Sequence, residues 1–66
     1  MTDRQTAEVV DYLEREARFM DRQARDVERI PGSPDEVADN KDRADCLRFK
    51  AHTFRLACRK LMGKYT

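Results

Sequence analysis

Helix-breaking residues in this chain are confined to two places. Pro31, Gly32 and Pro34 fall together in the middle, and Gly63 stands near the end. With no other glycine or proline, the chain reads as two long elements joined by one turn. Both elements carry helical three-four spacing, and no strand alternation of comparable length occurs. On the first the ladder is Val10, Leu13, Ala17, Met20, Ala24 and Val27. On the second it is Val37, Asn40, Ala44, Leu47, Ala51, Phe54, Cys58 and Leu61. The expected fold is all-α: an antiparallel two-helix hairpin, with helices over residues 3–30 and 34–62, forming a single domain across 1–66.

The ends carry matching local signals. Thr2-Asp3-Arg4-Gln5 fits a capping box, in which the hydroxyl accepts from the third amide and the glutamine reaches back. Ser33 is a good N-cap, Pro34 suits the first helical position, and Glu36 would complete a second box. Asp35 and Glu36 lie at the positive end of the second helix dipole, and Arg59, Lys60 and Lys64 near the negative end. Gly63 can take a left-handed conformation just past the helix. Pro31 disfavours helical geometry at Ile30, which sets the end of the first helix. Acid-to-base pairs four apart, Asp11–Arg15, Glu14–Arg18 and Asp21–Arg25, support its polar face.

A turn centred on Gly32 predicts facing residues whose numbers sum to about 64: Val27–Val37, Ala24–Asn40, Met20–Ala44, Ala17–Leu47, Leu13–Ala51 and Val10–Phe54. Most of these layers set a large side chain against a small one, as interdigitating helices require. Asn40 is the polar rung. Near the turn it can reach water or a backbone carbonyl, and a buried polar residue can also fix register or oligomeric state in a coiled coil.

A chain of 66 residues buries only about 60% of its unfolded surface, so a lone core is marginal. Disulfides do not supply the remedy. On one helix Cys46 and Cys58 stand about 18 Å apart along the axis, beyond the roughly 7 Å a disulfide tolerates. Free thiols suit a reducing, cytoplasmic setting. Apolar side chains are also left over. Val9, Tyr12, Phe19 and Ile30 lie beside or beyond the first ladder, and Cys46, Phe49, Thr53 and Leu56 form a second line on the other helix. Scattered exposed apolar groups are normal. A line of them more often marks an association surface. The expectation is burial of Cys46, Phe49, Thr53 and Leu56, with Val9, Tyr12 and Phe19, against another copy or a partner protein. A homodimer forming a four-helix bundle solves the size problem as well. If Phe49 and Leu56 serve dimerisation, the partner surface moves to Tyr12 and Phe19.

The remaining chemistry narrows the function to interaction. Residues 1–40 hold eleven acids and six bases, net −5, and residues 41–66 hold two acids and eight bases, net +6. The basic set Arg48, Lys50, Arg55, Arg59, Lys60 and Lys64 has two readings: an anionic or nucleic-acid surface, or neutralisation of the acidic first helix. A net charge of only +1 favours the second. Cys46, His52 and Cys58, spaced six and six, point to different sides of a helix and make a poor metal set. Glu8/Asp11 and Glu36/Asp39 repeat E-x-x-D, but a hairpin places them about 40 Å apart. No nucleophile–base constellation or phosphate-cradling glycine loop is present, so no enzyme activity, metal or cofactor is expected. The N-terminal residues lack a signal-peptide apolar run, and no segment approaches the roughly 20 apolar residues of a membrane span. The leading expectation is a small cytoplasmic regulator, inhibitor or adaptor that self-associates and binds a partner protein through a helix face. The alternative is a nucleic-acid-associated protein.

Overall fold

A computed structural model describes residues 2–63. It consists of α1, Asp3–Glu28, and α2, Pro34–Gly63, packed along each other with no strand among the described residues. The capping signals act largely as expected. The Thr2 amide donates to Gln5 Oε1 at 2.9 Å and the Gln5 amide donates to Thr2 Oγ1 at 3.2 Å, completing the reciprocal box. At α2 the Glu36 amide donates to Ser33 Oγ at 3.3 Å. The Glu36 carboxylate differs from expectation: it accepts from the Ser33 hydroxyl at 3.1 Å rather than from the Ser33 amide. Gly32 makes room for this arrangement, because a Cβ there would stand 2.9 Å from Glu36 Oε2 and 3.1 Å from its Cβ.

Two boundaries move. Helix α1 ends at Glu28, two residues before the expected limit. The Arg29 and Ile30 amides donate to Asp26 and Val27 carbonyls at 3.2 and 3.3 Å, a tightening into three-residue bonds ahead of Pro31. At the other end, Gly63 is the last helical residue of α2 and has no positive φ. Glycine permits the left-handed conformation without enforcing it.

Cross-helix contacts fix the antiparallel order: Glu28 meets Arg48, Asp21 meets Arg55, and the Cys58 thiol points at the Val10 carbonyl, 3.7 Å away. The residue numbers sum to 76, 76 and 68, all above the 64 of a turn centred on Gly32. Side chains lean toward the N-terminus of their own helix, so long antiparallel partners reach toward each other and inflate the sum. The short Cys58 contact is the closer guide to the backbone register. It displaces α2 by roughly one turn, so its first turn stands past the end of α1. Val37, expected in the seam, is therefore 45% exposed.

Every other rung of both ladders is buried or half-buried, but size decides which. Ala17, Ala24, Ala44 and Ala51 are 0% exposed, and Cys58 is buried with them. The large rungs Val10, Leu13, Met20, Val27, Leu47, Phe54 and Leu61 are only half-buried. Thr6 extends the α1 ladder by one step, and its buried hydroxyl is satisfied by the Thr2 carbonyl at 3.1 Å. No large side chain among the described residues is fully buried. The result is a rod of 50 × 14 × 13 Å with a radius of gyration of 15.4 Å, against about 11 Å for a compact chain of this length.

Candidate interaction surface

The two long edges of the rod differ in chemistry. On one edge Glu14, Asp21 and Glu28 recur every seven residues of α1, and Lys41, Arg48 and Arg55 every seven of α2. Arg48 grips Glu28 with both guanidinium Nη atoms, Nη1 to Oε1 and Nη2 to Oε2, the latter at 2.9 Å. Such two-pronged pairs are the strong form of the carboxylate–guanidinium contact. Arg55 Nη2 bonds Asp21 Oδ2 at 2.5 Å. The hydrogen bond from Arg48 is the main cause holding the Glu28 carboxyl below its ordinary 4.5, with Lys41 adding a smaller effect. Arg48 is raised in return, chiefly by the same bond. Asp21 thus serves Arg55 across the seam and not Arg25 along its own helix. Of the expected pairs four apart, Asp11–Arg15 forms at 2.9 Å, while the ion pairs of the described residues include neither Glu14–Arg18 nor Asp21–Arg25. Sequence reading missed both cross-helix pairs. The seven-residue recurrence of acid and base on facing flanks was the signal that could have found them.

The basic set is divided by these pairs. Arg48 and Arg55 are occupied with α1, whereas Lys50, Arg59 and Lys60 are exposed and enter no ion pair among the described residues. Lys64 lies outside the described residues.

The opposite edge carries no cross-helix ion pair among the described residues. Val9 stands beside it on α1, while Tyr12 and Phe19 on α1 and Cys46 and Thr53 on α2 lie between this edge and the outer faces. Tyr12 is 58% exposed and Phe19 50%. Thr53 donates its hydroxyl to the Phe49 carbonyl at 3.1 Å, so that group is used within its own helix. Phe49 and Leu56 lie about 160–180° around α2 from the seam, on the side facing away from α1. Phe49 is 70% exposed and Leu56 40%. The predicted interface residues are therefore all on the surface, but they do not share one face. Val9 stands beside the open edge, Tyr12, Phe19, Cys46 and Thr53 lie between that edge and the outer faces, and Phe49 with Leu56 occupies the back of α2.

Other candidate chemistry disperses. Glu8 pairs with Arg4 at 3.5 Å, Asp11 with Arg15, Glu36 caps α2, and Asp39 pairs with Arg43 at 3.1 Å, so each E-x-x-D acid has a local partner. No group of three or more metal-ligating side chains occurs among the described residues. Cys46 is exposed and Cys58 buried, both free. Burial, and secondarily the Glu14 charge, push the Cys58 thiol above its ordinary 9.0, away from the thiolate needed for nucleophilic work. Two shallow depressions lie on the surface, about 420 Å³ at Gln5, Glu8, Val9 and Tyr12 and about 370 Å³ lined by Glu14, Arg18, Arg55, Cys58, Arg59 and Met62. The second sets the Cys58 thiol near the Glu14 carboxylate, whose charge adds to burial in disfavouring the thiolate. No described helix is long and apolar enough to cross a membrane. Compared with known protein families, curated proteins and solved structures, the chain has no match.

Proposed function

We propose that this chain is a small non-enzymatic protein-interaction module: a self-associating helical hairpin that acts as a regulator, inhibitor or adaptor by presenting a helix face to a partner protein. The observation that carries this reading is the mismatch between what the hairpin buries and what it displays. Among the described residues the buried apolar core is four alanines and a cysteine, while Tyr12, Phe19, Phe49 and Leu56 stand exposed. Apolar surface left in lines on so thin a core is stabilised by association. The accessible surface is 5304 Å². A compact monomer of 7.8 kDa exposes about 4,400 Å². The surplus of roughly 900 Å² matches the share of about 800 Å² that one partner contributes to a standard interface. Free thiols on both cysteines fit a reducing, cytoplasmic setting.

Sedimentation equilibrium tests the reading. The expected mass is a multiple of 7.8 kDa, and replacing Phe49 and Leu56 together by Asp weakens either assembly or partner binding. A well-folded monomer unaffected in both respects by the double change would overturn it. Nucleic-acid association is the competing reading, resting on exposed Lys50, Arg59 and Lys60. Arg59→Glu with Lys60→Glu tests it without breaking the Arg55–Asp21 pair. Retention on nucleic acid that falls steeply with salt and vanishes in this variant would favour it over a protein partner.

A further inference from the structure

The half-burial of the large seam residues has a direction. Each large rung Met20, Val27, Leu47, Phe54 and Leu61 follows a small or buried one by three residues, which places it about 60° round the helix. In both helices that rotation leads away from the flank of Asp21, Glu28, Arg48 and Arg55. The alanines therefore lean toward the ion-paired edge and are sealed, while Leu13, Met20, Val27, Leu47, Phe54 and Leu61 lean toward the open edge and stay half-exposed. Two charges flank that apolar strip without an ion pair among the described residues: half-buried Glu16 on α1 and Lys50 on α2.

Charge identifies what covers the strip. Helix α1 carries eight acids and five bases, net −3, and α2 five acids and seven bases, net +2. A second copy can meet the open edge about a two-fold axis across the rod or along it. The first sets α1 against α1, acid on acid. The second sets α1 against α2 of the other copy, antiparallel, as within the hairpin. Levels along the rod agree. The Cys58–Val10 contact places residues summing to about 68 at one height, so Lys50 stands level with residue 18, only about 3 Å from the level of Glu16. A two-fold axis along the rod preserves height and brings Glu16 of each copy to Lys50 of the other.

We propose that the open edge is closed by a second copy about a two-fold axis parallel to the rod, forming a four-helix bundle with both turns at one end and Glu16 facing Lys50 of the second copy. This rests on the self-association reading above and assigns it a face. Phe49 and Leu56 then remain outside the bundle, free for a partner.

The test is sedimentation equilibrium of the full chain, with helical circular dichroism as the control for folding. Glu16→Lys and Lys50→Glu each turn two attractions per dimer into two repulsions, and each raises the dimer dissociation constant at least about tenfold. The combined Glu16→Lys/Lys50→Glu variant restores it to near the original value, and Phe49→Asp/Leu56→Asp leaves the dimer mass unchanged. A dimer indifferent to both single reversals, or lost in the Phe49/Leu56 variant, would refute this face while leaving self-association standing. Monomer mass at all concentrations would remove both.

Discussion

Replacing Ala51 by Leu tests how closely the two helices approach. Ala51 is 0% exposed at mid-length of the seam. Leucine adds three carbons at this point. Were there room for them, their burial would stabilise the fold by about 2.4 kcal/mol, at roughly 0.8 per methylene. The structure leaves no such room, since Ala17, Ala24 and Ala44 of the same seam are equally sealed. The helices must then separate or the leucine leave its rotamer, at a cost of about 1–3 kcal/mol. Total stability for a chain of this size is on the order of 3–10 kcal/mol, so the loss is large. It lowers the melting temperature by about 4–8 °C per kcal/mol. Thermal denaturation followed by circular dichroism at one fixed protein concentration reads the change, because association would otherwise shift the midpoint. Ala38→Leu, on the exposed face of α2, is the control and stays within about 0.5 kcal/mol. The sign decides the matter. An Ala51→Leu protein as stable as the control, or more so, would show that the alanines do not set the helix spacing.

Two further outcomes follow from the titrating groups. Glu28 has a lowered folded value, so the unfolded chain binds the proton more readily. Its contribution is therefore fully present above the ordinary 4.5 and fades as pH falls through the lowered folded value; urea titrations between pH 6 and 2 should show that acid slope, reduced in Glu28→Gln. For the thiols, a maleimide pulse followed by mass spectrometry should modify Cys46 at once and Cys58 only as the hairpin opens. Equal rates at the two positions would place Cys58 outside the seam.

Much of this architecture was legible because few residues decide it. Pro31 and Pro34 leave only one place for the turn, and Thr2 with Gln5 marks the start of α1 through bonds that form locally. The rungs were legible too, since three-four spacing survives any change of partner. What spacing could not give was depth. Val10 and Ala17 read alike as ladder positions, yet only the alanine is sealed, because a small side chain lets the backbones close over it while a large one is pushed to the flank. Register was also out of reach. The turn's appearance suggested symmetry about Gly32, but the early end of α1 at Glu28 displaces α2 and leaves Val37 past its neighbour. The basic stripe of α2 was one sequence feature with two fates, because Arg48 and Arg55 fall on the flank where α1 offers acids every seventh residue. Lys50 and Lys60 do not.

That division bears on what the surface is for. A helix of α2's length has one side for its hairpin neighbour, and in the proposed bundle a second side, about a quarter-turn away, for the other copy. Phe49 and Leu56 belong to neither, since they lie nearly opposite α1. Cys46 and Thr53 stand between the two regions and would border the contact between copies. Closing the bundle would thus cover Leu47, Phe54 and Leu61 yet leave a phenylalanine and a leucine seven residues apart on each outer face. Two-fold symmetry sets these two pairs on opposite sides of the rod, each beside exposed Lys60. A bundle built only to stabilise itself has no use for large apolar groups there, and each costs solubility. On the proposed reading the outer face of α2 is the one that meets a partner protein, and Phe49→Asp should abolish partner capture while leaving the sedimentation mass of the assembly unchanged.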